Sequence, residues 1–307
     1  MKHIPFAAGA AFADFMTERH LMYLRRASGL PRPWTKDPVL RDHHFCNVYR
    51  ELDVVTAAFR GLVRDPFAEH PNLPLMLAIC RWFNNPDTIR DLIRAGAWPT
   101  APGVFDDALI RRMCALLRGW IDSGRTIYRA AYMIRAESDT AKEWYSWPKE
   151  RYVLEVVCRP VLGLPRFPTL QQTVEWLGKL YGWGGFMAYE VATDLRWSPW
   201  FGPDGPADAS TYANPGPGAH RGLNRLLGEP LTKRRSVSEA NALMRELLGI
   251  VTREWEGHRD RGWTGWGGSE HWPELEMREI EHSLCEYDKW RRGHEGSGVL
   301  RTYKGRT

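Results

Sequence analysis

The sequence contains no C-x-x-C pair, no H-E-x-x-H helix motif and no G-x-x-x-x-G-K-[ST] loop. These absences exclude a zinc ribbon, a cysteine-ligated iron–sulfur cluster, a zincin-type metal helix and a Walker phosphate loop. The five cysteines, Cys46, Cys80, Cys114, Cys158 and Cys285, are odd in number and widely scattered. That pattern fits reduced thiols of a cytosol and not a disulfide framework. No apolar run reaches the roughly 18 residues that a membrane span needs. The opening Met-Lys-His-Ile-Pro-Phe lacks the apolar stretch and cleavage site of a signal peptide. A cytoplasmic protein without a membrane partner is therefore expected. No strand hairpin, internal repeat or low-complexity tract stands out.

What is present is an ordinary globular composition with a basic bias. The 307 residues are 43% hydrophobic and 26% charged, with a formal net charge of +5. The excess of positive charge favours anionic partners without requiring them. Fifteen tryptophans supply buried area and flat stacking surfaces.

Apolar residues recur at three and four almost throughout, so the fold class is read as all-α. Helices are predicted over residues 7–28, 45–62, 73–84, 106–123, 126–134, 138–147, 149–157, 184–195, 219–227, 236–254 and 273–292. A short helix to residue 95 is read as capped by Asp87, and one over 170–181 as capped by Thr169. Residues 29–41, 160–168, 196–217 and 257–269, rich in Pro, Gly or Trp, are read as connections, and 293–307 as a loose tail. The expected organisation is one helical catalytic domain over 1–292, with a division into lobes of about 1–160 and 161–292 left open.

Two glycine turns mark the C-terminal half. Gly182, Gly184 and Gly185 lie at the start of the helix over 184–195, and Gly216 and Gly218 precede the next. Free amides at a helix start form a seat for phosphate, and glycine lets the phosphate approach. The plainer reading is close helix packing at glycine. His220 and Arg221 follow the second turn, placing cations where the amides also point. The alternative is a capped surface helix. Glu190 and Asp194 stand one turn apart on the hairpin's second helix, where either is a candidate general base, or Asp194 caps the next turn.

Wound as a helix, the segment from residue 45 puts Phe45, Val48, Leu52 and Val55 on a core face. His43, Asn47, Arg50 and Glu51 fall opposite, with Asp53 beside them to orient Arg50. Such an arc grips a base edge or an oxyanion, or is a solvated face with an Arg–Glu pair. In the last helix Met277, Ile280, Leu284 and Tyr287 form the buried stripe. Glu286 and Lys289 lie on one flank, and Lys289 and Arg291 are phosphate candidates unless they serve surface pairing. Cys285 is read as a small core residue. The adjacent His43 and His44 are poorly placed to chelate, so no metal site and no cofactor are indicated. A Mg²⁺ ion arriving with a diphosphate stays open.

Four blocks carry a family resemblance: His44-Phe-Cys-Asn-Val-Tyr-Arg-Glu-Leu-Asp53, Tyr181-Gly-Trp-Gly-Gly-Phe-Met-Ala-Tyr-Glu-Val-Ala-Thr-Asp-Leu195, Pro215-Gly-Pro-Gly-Ala-His-Arg-Gly222 and Leu284-Cys-Glu-Tyr-Asp-Lys-Trp-Arg291. The glycine hairpin resembles that of the helix-hairpin-helix DNA glycosylases. The four blocks in order resemble more closely the α-glutamyl/putrescinyl thymine pyrophosphorylases and the helical domain of 5-hydroxymethyluracil DNA kinases.

The resemblance implies a helix-hairpin-helix, glycosylase-like helical architecture and a phage-type transferase of thymine hypermodification. Its substrate would be double-stranded DNA whose 5-hydroxymethyluracil carries a pyrophosphate, which a small amine or amino acid replaces. It implies catalytic roles for Asn47, Arg50, Asp53, Glu190, Asp194 and His220. Pyrophosphate or DNA contacts would come from His43, Gly182, Gly184, Gly185, Gly216, Gly218, Arg221, Glu286 and Lys289. A functional link to a hydroxymethyluracil DNA kinase follows, and location in the host cytoplasm. Two rivals stand. A glycosylase is disfavoured because Phe186 takes the place of the hairpin lysine, and Asp204 or Asp208 would have to fold back to act. A non-catalytic DNA-binding accessory protein leaves the arc of Asn47 and Arg50 unused.

Overall fold

The computed structural model describes residues 2–129, 147–256 and 274–297, and among these residues there are helices and turns but no β-strand. In chain order the α-helices are α1 Phe6–Ala27, α2 Pro38–Asp42, α3 Val54–Phe59, α4 Leu73–Phe83, α5 Pro86–Arg94 and α6 Asp107–Asp122. They continue with α7 Lys149–Arg151, α8 Leu170–Leu177, α9 Gly185–Leu195, α10 Pro217–Leu226, α11 Val237–Glu256 and α12 Met277–His294. None of the described helices is long and apolar enough to cross a membrane.

Side-chain caps set several of the helix starts. The carboxylates of Asp37 and Asp106 accept from the N–H groups of Leu40 and Leu109, and Thr169 accepts from Gln172. The cap of α5 is Asn85, not Asp87. Pro86 occupies the first helical position, where its missing N–H costs nothing, and this moves the cap two residues upstream. Three further expectations change. The Pro-rich connection contains α2. Residues 126–129 are not helical, and residues 159–163 form a 3-10 turn. The predicted helix over 138–147 and loop over 257–269 lie outside the described residues, apart from Trp147.

The chain forms two compact units, and they do not follow a division near residue 160. One comprises residues 1–53 and 209–307, the other residues 54–208. The first unit joins both chain ends because α1 packs on α11 and α12. Phe12 and Phe15 of α1 each set their rings 5.4 Å from Tyr287 of α12. The expected stripe of Met277, Ile280, Leu284 and Tyr287 is buried.

In the second unit every residue of α4 is buried. A helix apolar on all sides belongs at the centre of a unit, and α5 and α9 pack on it. Its one charge, Arg81, is 1% exposed and must be neutralised where it lies. Asp194 and Glu190 of α9 do so.

Candidate functional site

Residues 43–49 are not helical, so the helix expected over 45–62 is absent in its first part. Only residues 50–52 (a 3-10 turn), α3 and a π-turn at 60–64 are wound. The cause is local side-chain competition for the backbone. One oxygen of Asp53 accepts from Asn47 N at 2.9 Å and from Asn47 Nδ2 at 3.1 Å. Asn47 Nδ2 also donates to the carbonyl of Leu52 at 2.9 Å. The other Asp53 oxygen accepts from Arg50 Nη1. Asn47, Arg50 and Asp53 therefore converge through a carboxylate hub and not through a helix face. Glu51, expected on the same arc, is buried.

The segment is also tied to its surroundings in the first unit. The N–H of Cys46 donates to Glu286 Oε2 at 3.1 Å, and its carbonyl accepts from Arg19 Nη2. Lys289 Nζ lies 2.7 Å from Glu286 Oε2 and 4.4 Å from the centre of the Phe45 ring. Burial pushes the Cys46 thiol up to about 12, so it stays protonated. Burial and the neighbouring Arg50 and Arg19 hold His282 far below the usual histidine value, so it stays neutral.

In front of this segment opens a shallow cleft with a cavity volume of about 50 Å³. Arg19, Arg26, Arg32 and Arg41 line it, as do the rings of Tyr23, Trp34 and Phe45. The Arg26 guanidinium lies 5.6 Å from the Tyr23 ring centre, and that of Arg32 lies 4.9 Å from Trp34. Arg41 is paired with Asp42 through Nε at 2.7 Å and Nη2 at 2.8 Å. Asn47 and His43 complete the wall. Asn47 turns its Oδ1 toward Arg26 at 3.4 Å, and His43 Nδ1 is buried without a hydrogen-bond partner. Cations, flat rings and one amide oxygen form a set that accepts a nucleobase bearing an anionic group.

Sequence reasoning missed Arg19, Tyr23, Arg26, Arg32, Trp34 and Arg41. A signal existed in the Arg25-Arg26 end of α1 and the basic-aromatic run Arg32-Pro-Trp34, but a Pro-rich stretch reads as mere connection.

The two glycine turns fall in different units and have different uses. Gly182, in the second unit, has φ +79°, a conformation that favours glycine. The N-terminus of α9 has no side-chain cap, and Gly184, Gly185 and Phe186 are exposed there. In the first unit the start of α10 is closed. The N–H of Gly216 donates to Glu281 Oε1 at 3.1 Å, so a carboxylate of the chain itself sits where a phosphate was expected. Gly218 and Gly222 serve helix contact. A Cβ on Gly218 would lie 2.1 Å from Cys285 Sγ, and one on Gly222 would lie 2.4 Å from the Leu284 carbonyl oxygen.

Other expected site residues are engaged structurally. Arg221 Nε donates to Asp288 Oδ2 at 2.7 Å, and Arg225 Nε to Oδ1 at 2.9 Å. Burial, with Arg234 and Arg235 nearby, lowers the His220 pKa. Glu190 and Asp194 belong to the second unit and are bound to Arg81. Asp208 accepts from the N–H groups of Leu170 at 2.7 Å and Gln171 at 2.9 Å. It thus stabilises the start of α8.

A family model for the helical domain of 5-hmdU DNA kinase matches residues 7–298. The chain belongs to this family. A 5-hmdU DNA kinase of Bacillus phage SP10 is 25% identical over 304 residues, which cover 91% of this chain and 44% of that protein. The chain thus spans less than half the length of this curated relative. No solved structure matches it.

Proposed function

We propose that the protein is a transferase of DNA hypermodification. It replaces the pyrophosphate of 5-(pyrophosphoryloxymethyl)uracil in DNA with a small amine or amino acid. Membership of the 5-hmdU DNA kinase helical-domain family supports the substrate class. The observation that carries the reading is the pocket in which four arginines and three aromatic rings surround Asn47.

The target nucleotide leaves the duplex, because its methylene carbon must meet a second reactant away from the stack. Tyr23, Trp34 and Phe45 offer ring faces to the uracil. Asn47 Oδ1 accepts from the uracil N3–H, its Nδ2 being committed to Leu52 and Asp53. Arg26, Arg32 and Arg41 bind the diphosphate and stabilise the charge that grows as the carbon–oxygen bond breaks. The amine nitrogen forms the new bond to the methylene carbon as the carbon–oxygen bond breaks, and it releases its proton to solvent. Asp53 and Arg50 position Asn47. The α8–α9 pair is read as a helix-hairpin-helix of the DNA-glycosylase kind, with the uncapped start of α9 taking a backbone phosphate. The phage relative supports a setting in a host cytoplasm and a functional link to a kinase that prepares the base.

A second reading is favoured by the match to part of a kinase: a module that recognises the modified base without reacting. The two separate on one experiment. The protein is incubated with DNA carrying the pyrophosphorylated base and a panel of amines, and the DNA is digested to nucleosides for mass spectrometry. Transfer predicts an amine-dependent new nucleoside. Tight, salt-sensitive binding with no product from any amine supports the module instead.

A further inference from the structure

His282 and Glu286 stand one turn apart on α12, and residues four apart share a face. The segment before Arg50 brings Cys46 to them, with its N–H on Glu286 Oε2 at 3.1 Å. One ligand atom from each of Cys46, His282 and Glu286 lies within 4.8 Å of the other two. His282 Nε2 is buried and has no hydrogen-bond partner. A buried ring nitrogen left in that state costs stability and calls for an explanation.

We propose that Cys46, His282 and Glu286 form a metal site for a divalent transition ion, with zinc preferred and a fourth position open. A mixed sulfur, nitrogen and oxygen set suits zinc and does not suit Mg²⁺, which takes near-octahedral oxygen ligands. Zinc bonds of about 2.0–2.3 Å put ligand atoms roughly 3.3–3.8 Å apart, so the three side chains close by about 1 Å on binding.

Binding displaces the thiol proton to solvent. The ion, the Cys46 thiolate and the Glu286 carboxylate then sum to zero charge, with His282 neutral. A neutral cluster is compatible with Lys289 and Arg19, which already stand beside Glu286 and Cys46. The same cations favour an anion, a hydroxide or a phosphoryl oxygen, at the open position. The inference stands on this geometry and not on the transferase reading.

The test uses the full chain, stripped with a chelator and titrated with Co²⁺ and then Zn²⁺. One equivalent of Co²⁺ should give a thiolate-to-cobalt charge-transfer band and tetrahedral d–d absorption, both removed by zinc. Cys46→Ser should abolish the charge-transfer band. Cys46→Ser and His282→Gln should each weaken zinc by more than the roughly 10–100-fold typical of an outer-shell partner. Cys46→Ser is nearly isosteric, and circular dichroism of each variant checks that the fold is kept. Absence of the sulfur band, or unchanged zinc affinity in folded Cys46→Ser, overturns the site and leaves Glu286 simply as the partner of Lys289. Neither result alters the nucleoside assay, so the two proposals fail separately.

Discussion

Arg81 and Asp194 form a buried two-point ion pair: Nε donates to Oδ2 at 2.5 Å while Nη2 donates to Oδ1. The guanidinium is the one charge on a helix whose every residue is buried. Removing one partner of a buried pair typically costs about 3–5 kcal/mol, an upper bound here because Glu190 still faces Arg81 at 3.2 Å. Asp194→Asn is therefore expected to lower unfolding free energy by up to that amount in denaturant titration. If stability is unchanged while catalysis is lost, Asp194 is a catalytic group and the structural assignment is wrong.

The two glycine turns should respond oppositely to a methyl group. Gly218→Ala drives a carbon against Cys285 and should cost about 1–3 kcal/mol, the usual penalty for overpacking. Gly184 has ordinary backbone angles and nothing within 4 Å of an added Cβ. Gly184→Ala should stay within about 0.5 kcal/mol of wild type, and loss of DNA affinity in that variant reports directly on the open start of α9.

Glu229 gives a pH signature. Its side chain is 5% exposed and faces Lys233 at 2.8 Å, Lys2 at 3.0 Å and Arg235. Hydrogen bonds from Lys233 and Lys2, with the charge of Arg235, pull the carboxyl down to about 2 from the ordinary 4.5. The folded state holds the proton less tightly than the unfolded chain, so the contribution is fully present above about pH 4.5. It is lost as pH falls toward about 2. Thermal melts should show a steeper fall of Tm across that window in wild type than in Glu229→Gln. Equal slopes contradict the assignment.

Asn47→Ala removes the amide oxygen offered to the uracil edge. The loss of a hydrogen bond to a buried polar group is about 1–3 kcal/mol, so kcat/KM for transfer should drop roughly 5–150-fold. The variant's folded fraction, measured by denaturant titration, separates this from damage to the segment that Asn47 also holds through Leu52. Unchanged kcat/KM in a folded variant removes Asn47 from the site.

Much of the helical frame was legible because its signals are local. Thr169 announces its helix as a cap, and the stripe from Met277 to Tyr287 is written at three and four. The cap at Asn85 was also readable, had Pro86 been weighed as a first helical residue. The segment around Asn47 was not legible by periodicity. Its apolar spacing fits a helix, and only the competition of Asn47 and Asp53 for backbone groups unwinds it. For the same reason the arc of His43, Asn47, Arg50 and Glu51 does not exist as one face. Arg26, Arg32 and Trp34 escaped notice because their meeting depends on how the Pro-rich connection folds back beside α1. Glu190, Asp194 and Arg221 have partners that a sequence does not show, Arg81 for the first two and Asp288 for the third.

The most direct test counts two products of one reaction: pyrophosphate released and new nucleoside formed, for wild type and for an Arg26→Ala, Arg32→Ala double variant of matched Tm. Wild type should yield the two in equal amounts only when amine is present. The double variant should lose at least about 100-fold in rate, as expected when leaving-group charge is no longer stabilised. Amine-independent release of free base, absence of product from wild type, or an unimpaired double variant would contradict the pocket as the site of transfer.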